Sequence, residues 1–355
     1  NGEIMELADG ISEIADLPDS FSARLRISGK CLLDLVLNFA YIFEVSEAET
    51  IAMGQTPENK DDFIEAVQIV PPVQSAPIVC IMDSGIQEEH KYLAPAISSN
   101  ESISLLPNNM STSDEVAGGG HGTRVAGAVL YPKTVPLDGV YQLPCWIRNM
   151  RILDENNCLP ESVYPPRAIA IAVQKYNVEN PIPTKIFNHS IGSCRPCEMK
   201  HMTPWAAEID SQSYNHNVLF IQAAGNISTD VILAYWQAGY PYPEYLDREL
   251  CRISNPAQSL QAITVGSVSA DELETDDFIA LGKHMEVSSF SRSGPGIWDV
   301  LKPEVVEYGG THIYNKGSVP PQLTTPPEVC PELIRKSPEG PAFARDDVGT
   351  SFSAP

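Results

Sequence analysis

Long apolar runs are missing from this 355-residue chain. No stretch approaches the roughly 20 apolar residues that a membrane-spanning helix needs, so nothing visible reads as transmembrane and the chain is expected to be soluble. Positive charge is scarce as well, with 23 Lys and Arg against 46 Asp and Glu and a formal charge of -23. That balance disfavours a polyanion such as nucleic acid, or an anionic membrane, as a partner. Cysteine is thinly spread: positions 31, 80, 145, 158, 194, 197, 251 and 330 are scattered through a chain far larger than a disulfide-stapled mini-domain, which leaves the redox state open. Cys80 lies inside an apolar run and reads as a small buried hydrophobe. Cys194 and Cys197 form a lone CxxC, and a zinc site usually needs a second pair at matching spacing, which the sequence lacks. The chain also lacks an initiator Met, so the compartment is undetermined, with a cytoplasmic setting slightly favoured over a secreted one. No internal repeat is evident.

What is present falls into two parts. Residues 22–27 alternate as a strand does, Ser28-Gly29 reads as a turn, and Leu32, Leu33, Leu35 and Val36 follow at helical spacing. Tyr41 to Val45 is a second strand-like run. Residues 1–72 are therefore expected to form a small α/β unit and a linker that ends at Pro71-Pro72. From residue 73 the pattern becomes apolar runs alternating with helix-like stretches, the signature of a largely parallel sheet covered on both faces. The runs are Ile78 to Met82, Trp146 to Leu153, Ile186 to Ser190, Val218 to Ala223 and Ala262 to Val265. Helices are expected at 121–130, 168–176 and 204–214. The proline-rich stretch 320–341 reads as an irregular surface loop.

Three segments carry candidate chemistry, and each falls at the end of an expected strand or the start of an expected helix. Asp83-Ser84-Gly85 closes the first apolar run. By itself it also fits an ordinary turn, or the Asp-Ser/Thr-Gly of an aspartic protease. His121-Gly122-Thr123-Arg124-Val125-Ala126-Gly127 follows three glycines and opens a small-residue helix, an exposed and fixed position suited to a general base. Gly349-Thr350-Ser351-Phe352-Ser353-Ala354-Pro355 places Ser351 at a helix start, where the backbone favours developing negative charge.

In this order, Asp then His then Ser, the three segments resemble the signatures of the subtilase family of serine peptidases. Further stretches extend the resemblance over roughly 76–355. They are Asn188 to Gly192, Ala223-Ala224-Gly225-Asn226, Ala262 to Gly266, Ser289 to Pro295 and Lys302 to Val306. The resemblance implies a three-layer α/β subtilisin-like fold and a serine endopeptidase that acts through an acyl-enzyme. Asp83, His121 and Ser351 would form its triad and Asn226 would donate to the oxyanion. Ser190, Ile191, Gly192, Ala224 and Gly225 would hold a protein or peptide substrate. No cofactor is required by such chemistry. Relatives often bind calcium, but the acidic run Asp271 to Asp277 matches no calcium loop, and no metal ligands are assigned. The small amino-terminal unit is weakly similar to the propeptides of the family, with a permanent accessory domain as the other reading. Tyr235, Trp236, Tyr240, Tyr242 and Tyr245 sit in a long excursion that reads either as a substrate gate or as a self-packed loop. The chain stops four residues past Ser351. The expectation is a truncated catalytic domain that folds poorly or is inactive as given. The rival function is a catalytically inactive subtilase-fold binding or scaffold module, and a redox or metal protein built on Cys194 and Cys197 is a distant third.

Overall fold

The computed structural model describes residues 3–4, 14–16, 21–23, 25–40, 42 and 67–355, save 133, 161, 162, 164, 198, 201, 271, 319, 320 and 337–341. The chain divides into two compact units, Asn1–Glu58 and Asn59–Pro355. In the first, β1 (Glu3–Ile4) pairs antiparallel with β4 (Leu25–Arg26), and β2 (Ile14–Asp16) with β3 (Phe21–Ala23). Helix α1 (Gly29–Asn38) starts where Ser28 accepts a hydrogen bond from the backbone of Cys31, as an N-cap serine does. The expected strand, turn and helix are thus present between residues 21 and 38. The run Tyr41 to Val45 lies outside the described residues, apart from Ile42.

The second unit begins earlier than the sequence suggested. Strand β5 (Val67–Val70), read as part of a linker ending at 72, pairs in parallel with β8 (Gly139–Gln142) and so belongs to the larger unit. The four residues of this run meet backbone hydrogen-bonding needs in that ladder.

Seven strands form the central sheet of this unit: β6 (Ile78–Asp83), β7 (Ile103–Ser104), β9 (Trp146–Arg151), β10 (Ile186–His189), β11 (Leu219–Ala223), β12 (Ile263–Val268) and β14 (Val305–Tyr308). Their order is β14-β12-β11-β10-β6-β9-β7, and every neighbouring pair is parallel. A parallel sheet needs cover on both faces, and β6 shows how its sequence supplies two cores. Side chains alternate along a strand. Val79 and Ile81 accordingly join a core with Val125, Leu130 and Tyr131 around helix α2 (Gly122–Leu130). Cys80 and Met82 join the opposite core with Ile169 of α3 (Pro165–Val173) and Ile209 of α4 (Pro204–His216). The unit is therefore a three-layer α/β fold, with the candidate residues gathered at the carboxyl ends of its strands, where open parallel sheets bind their ligands.

The proline-rich stretch departs from its reading as a surface loop. Leu333 and Ile334 in β17 (Leu333–Ile334) are 1% and 0% exposed, pair with β18 (Phe343–Ala344), and enter the core beside α2. Prolines describe the local backbone but say nothing about depth, and here Gly127 on α2 leaves room for Ile334 to pack directly on the helix. The aromatic excursion proves self-packed. Helix α5 (Thr229–Gln237) and the turns after it bury Ile232, Tyr245 and Cys251 in a satellite core, with Tyr235, Trp236, Tyr240 and Tyr242 against it. Tyr245 is wholly buried and donates to the Ser289 carbonyl at 2.5 Å. None of these aromatics is among the residues that line the cleft described next.

Candidate active site

Asp83 is the last residue of β6 and is 1% exposed. Its Oδ1 accepts from the Ser84 backbone at 2.7 Å and faces His121 Nδ1 at 2.7 Å. His121 is the N-cap of α2, brought close to β6 because Gly122 has no side chain. A Cβ on Gly122 would strike the Gly85 carbonyl oxygen and stand 3.1 Å from Asp83 Cβ. The Gly122 N–H instead donates to Ser84 Oγ at 2.9 Å, and Ser84 Oγ donates to Asp114 Oδ1 at 3.0 Å. Asp114, 3% exposed, also accepts from the Thr123 and Val116 backbones at 2.9 and 3.2 Å. One buried carboxylate thus ties the end of β6 to the start of α2. Burial raises the Asp114 pKa above the ordinary carboxylate range, against the hydrogen bonds from Thr123.

Burial alone would disfavour the imidazolium of His121. The carboxylates of Asp83, then Asp114 and Asp347, outweigh that penalty and raise its pKa above the ordinary histidine value.

Ser351 lies in α6 (Thr350–Ser353), 9% exposed, and its hydroxyl donates to the Ser190 carbonyl at 2.8 Å. That partner differs from the direct link to His121 that a nucleophile and base would share. Both residues nonetheless line one cleft of about 470 Å³, together with Ser190, Ile191, Gly192, Gly225, Asn226 and Ser254. The segment leading to α6 is fastened to α2 by Arg124, which pairs with Asp346 at 2.9 Å and Asp347 at 3.2 Å.

Asn226 is oriented by its neighbour in the fold. Its Oδ1 accepts from the Thr350 backbone at 3.0 Å and from Thr350 Oγ1 at 2.9 Å, which fixes the amide and leaves Nδ2 as the free donor end. Ser190, Ile191, Gly192 and Gly225 line the cleft. Ala224 does not. It is wholly buried beneath the cleft with Cys197, Ile253 and Ala257, its N–H donating to Val265 and its carbonyl accepting from Ser254. Alternation along the chain turns it inward, and Ala223 meets the cleft in its place. Cys194 lies at the cleft wall and Cys197 is 2% exposed below it.

Sequence reasoning missed Asp114, Ser84, Arg124 and Thr350. Asp114 stands in a polar loop with no pattern of its own. Thr350 and Arg124 sat within quoted motifs, where their proximity to Ser351 and His121 was the available signal. Asp271 lies outside the described residues, Glu274 pairs with Lys316 at 3.4 Å, and among the described residues no three His, Cys, Asp or Glu side chains converge on one point.

The parallel three-layer unit thus sets Asp83 against His121, and His121 and Ser351 line one cleft. The model of the subtilase family, peptidase S8, matches residues 74–355, and the chain belongs to that family of serine-type peptidases. A curated relative, the uncharacterized protein y4bN of Sinorhizobium fredii, is 35% identical over 117 residues. These make up 31% of this chain and 27% of that protein, so the match spans about a quarter of the relative's length. Among solved structures, a lanthipeptide protease is similar with a TM-score of 0.48 and 17% identity, over 78% of this chain and 69% of that one. An epidermin leader peptide processing serine protease from Staphylococcus aureus is similar with a TM-score of 0.49 and 16% identity, over 80% and 64% of the two chains.

Proposed function

We propose that the protein is a serine endopeptidase in which Ser351, His121 and Asp83 act as the triad and Asn226 as an oxyanion donor. The observation that carries the reading is the 2.7 Å link between His121 Nδ1 and Asp83, made beside Ser351 at one cleft. Asp83 holds the imidazole with its other nitrogen free to work as a base. His121 takes the Ser351 proton as Oγ attacks the scissile carbonyl carbon, the C–N bond breaks, and the same proton passes to the leaving amine. Water then attacks the ester by the reverse route and regenerates the hydroxyl. Negative charge that gathers on the carbonyl oxygen is met by Asn226 Nδ2 and by the backbone N–H at the start of α6. An extended peptide is aligned by the strand end at 190–192, in the manner of an added β-strand. This sequence of steps calls for no cofactor, and the charge of -23 makes nucleic acid a poor partner. No helix among the described residues is long and apolar enough to cross a membrane.

One observation favours the rival reading of an inactive binding module: the Ser351 hydroxyl is engaged by Ser190. A hydroxyl is a rotor, however, and catalytic hydrogen bonds are often made only once substrate is present. Labelling of the full-length protein by a fluorophosphonate decides between the two. Wild-type protein and Ser353→Ala are expected to label, and Ser351→Ala is expected not to. Undiminished labelling of Ser351→Ala would place the nucleophile elsewhere.

A further inference from the structure

The layer of side chains beneath the cleft changes character at its edge. On one face of the sheet, Phe187 of β10 and Phe220 of β11 are wholly buried and stack with ring centroids 5.1 Å apart. Side chains two residues on share that face, so His189 and Gln222 continue the same layer. They are cross-strand partners at the end of the β10–β11 ladder, and each is 0% exposed. Apolar residues there would extend the core at no polar cost. A buried amide and imidazole are costly unless hydrogen-bonded, and their bonds show what they serve.

Both strands run on into the cleft wall, where Ser190 to Gly192 follow β10 and Gly225 and Asn226 follow β11, but the ladder between them stops at His189 and Gln222. Residues 253–255 come between the two: Ser193 N–H donates to Asn255 O at 2.7 Å, and Ser254 N–H to Ala224 O at 3.0 Å. The Gln222 side chain makes the direct tie. Its Nε2 donates to the carbonyl of Ile191 at 2.9 Å and to that of Ala223 at 3.0 Å. Carbonyls alternate along the strand end, so that Ser190 O faces Ser351 while Ile191 O is turned inward to Gln222. With Nε2 donating, Oε1 is the acceptor, and it lies 2.7 Å from His189 Nδ1. The imidazole therefore carries its proton on Nδ1 and donates. The Trp205 indole stands edge-on to the ring, 5.3 Å between centroids. Burial pushes the His189 pKa down to about 4, against the bond to Gln222, so this ring is neutral wherever His121 can act as a base.

We infer that Gln222 and His189 are positioning residues for peptide hydrolysis: Gln222 holds the strand end at 190–192 at a fixed offset from the segment that carries Asn226, and His189 holds the Gln222 amide in the orientation that does so. The inference rests on the peptidase reading. A peptide aligned on 190–192 brings its scissile carbonyl to Ser351 and Asn226 only if the two wall segments keep their spacing. A misplacement of about 1 Å in such a support can cost about a hundredfold in rate. A substrate too small to reach along 190–192 takes its position from Ser351 and Asn226 alone and is indifferent to the tie.

The test compares an extended fluorogenic peptide with para-nitrophenyl acetate as substrates of the full-length protein. Gln222→Met keeps the side-chain length and loses both donated bonds. It is expected to lower kcat/KM for the peptide by about ten- to a hundredfold. Hydrolysis of para-nitrophenyl acetate and fluorophosphonate labelling are expected to keep their wild-type rates. His189→Leu is expected to reproduce this pattern. His189→Asn, whose amide can donate from the place of Nδ1, is expected to retain most of the peptide activity. The double variant Gln222→Met with His189→Leu should be no worse than Gln222→Met, since both changes break one tie. Equal losses on peptide, ester and labelling, or no loss on any of them, overturn the inference and leave the peptidase reading standing. Should Gln222→Met fail to fold, the contrast between His189→Asn and His189→Leu decides, and equal peptide rates overturn the inference. Absence of both peptide cleavage and labelling in the wild-type protein overturns the peptidase reading and this inference with it.

Discussion

The charge state of His121 is governed by carboxylates from three segments: Asp83 at the end of β6, Asp114 in the loop before the glycines, and Asp347 before α6. Each stabilises the imidazolium and together they raise its pKa in the fold. The sign for stability follows from linkage: this contribution is fully present below the unfolded pKa of histidine and is lost as pH rises through the higher folded value. Catalysis has the opposite requirement, because a general base must be neutral before it can take a proton. The acid limb of a kcat/KM profile is therefore expected above the pH at which an ordinary histidine titrates. Asp114→Asn removes one of the three charges while keeping an acceptor for Ser84 or Thr123, so the limb is expected to move to lower pH. Measuring kcat/KM against pH for both proteins checks this, and an unmoved limb would show that Asp114 exerts no field at His121. Asp83, His121 and Ser351 were legible as candidates at this scale because each stands in a short motif. Asp114 was not, since its role comes from hydrogen bonds to Ser84 and Thr123, which only the fold brings near.

Among the elements, α2 has the tightest constraints. Its first residue abuts the turn after β6, and Gly127 one turn from its end abuts the β17–β18 hairpin. A Cβ on Gly127 would lie 2.7 Å from both Cβ and Cγ1 of Ile334. Gly127→Ala is therefore expected to destabilise the protein by about 1–3 kcal/mol, the usual cost of overpacking a filled core. Ile334→Ala alone opens a cavity and is expected to cost about 2–5 kcal/mol. Since the new methyl would occupy part of that cavity, the double variant should cost less than the sum of the two. Denaturant unfolding of the four proteins measures the coupling, and strict additivity would mean that helix and hairpin do not press on one another. The same elements show where sequence reading stopped. Strands β6, β11 and β12 were legible because a strand covered on both faces is largely apolar, and β9 and β10 by their apolar starts, although β9 buries Arg148, Asn149 and Arg151 and β10 buries Asn188 and His189. Edge strand β14, with all four residues exposed, and two-residue β7 carry no such run. The burial of β17 is set by a glycine two hundred residues away in sequence, and local composition cannot report it.

For the molecule as a whole, the useful comparison is between two boundaries. The family match begins at residue 74, whereas the larger compact unit begins at Asn59 and includes β5, whose partner β8 lies well inside the matched region. Residues 67–70 precede the family match and are nevertheless paired within the larger unit. This bears on the propeptide reading of the first unit. A peptidase that removes its own amino-terminal unit is expected to leave β5 in place, because Val67 and Ile69 pack against the core around α2 and their loss would uncover apolar surface. Self-cleavage in the full-length protein is therefore expected on the amino-terminal side of Val67, leaving β5 paired with β8, and it should be absent in Ser351→Ala. Amino-terminal sequencing of the processed protein locates the cut. A new terminus beyond Val70 would show that β5 travels with the removed piece, and a protein that stays uncut while labelling with fluorophosphonate would mark the first unit as a permanent accessory domain.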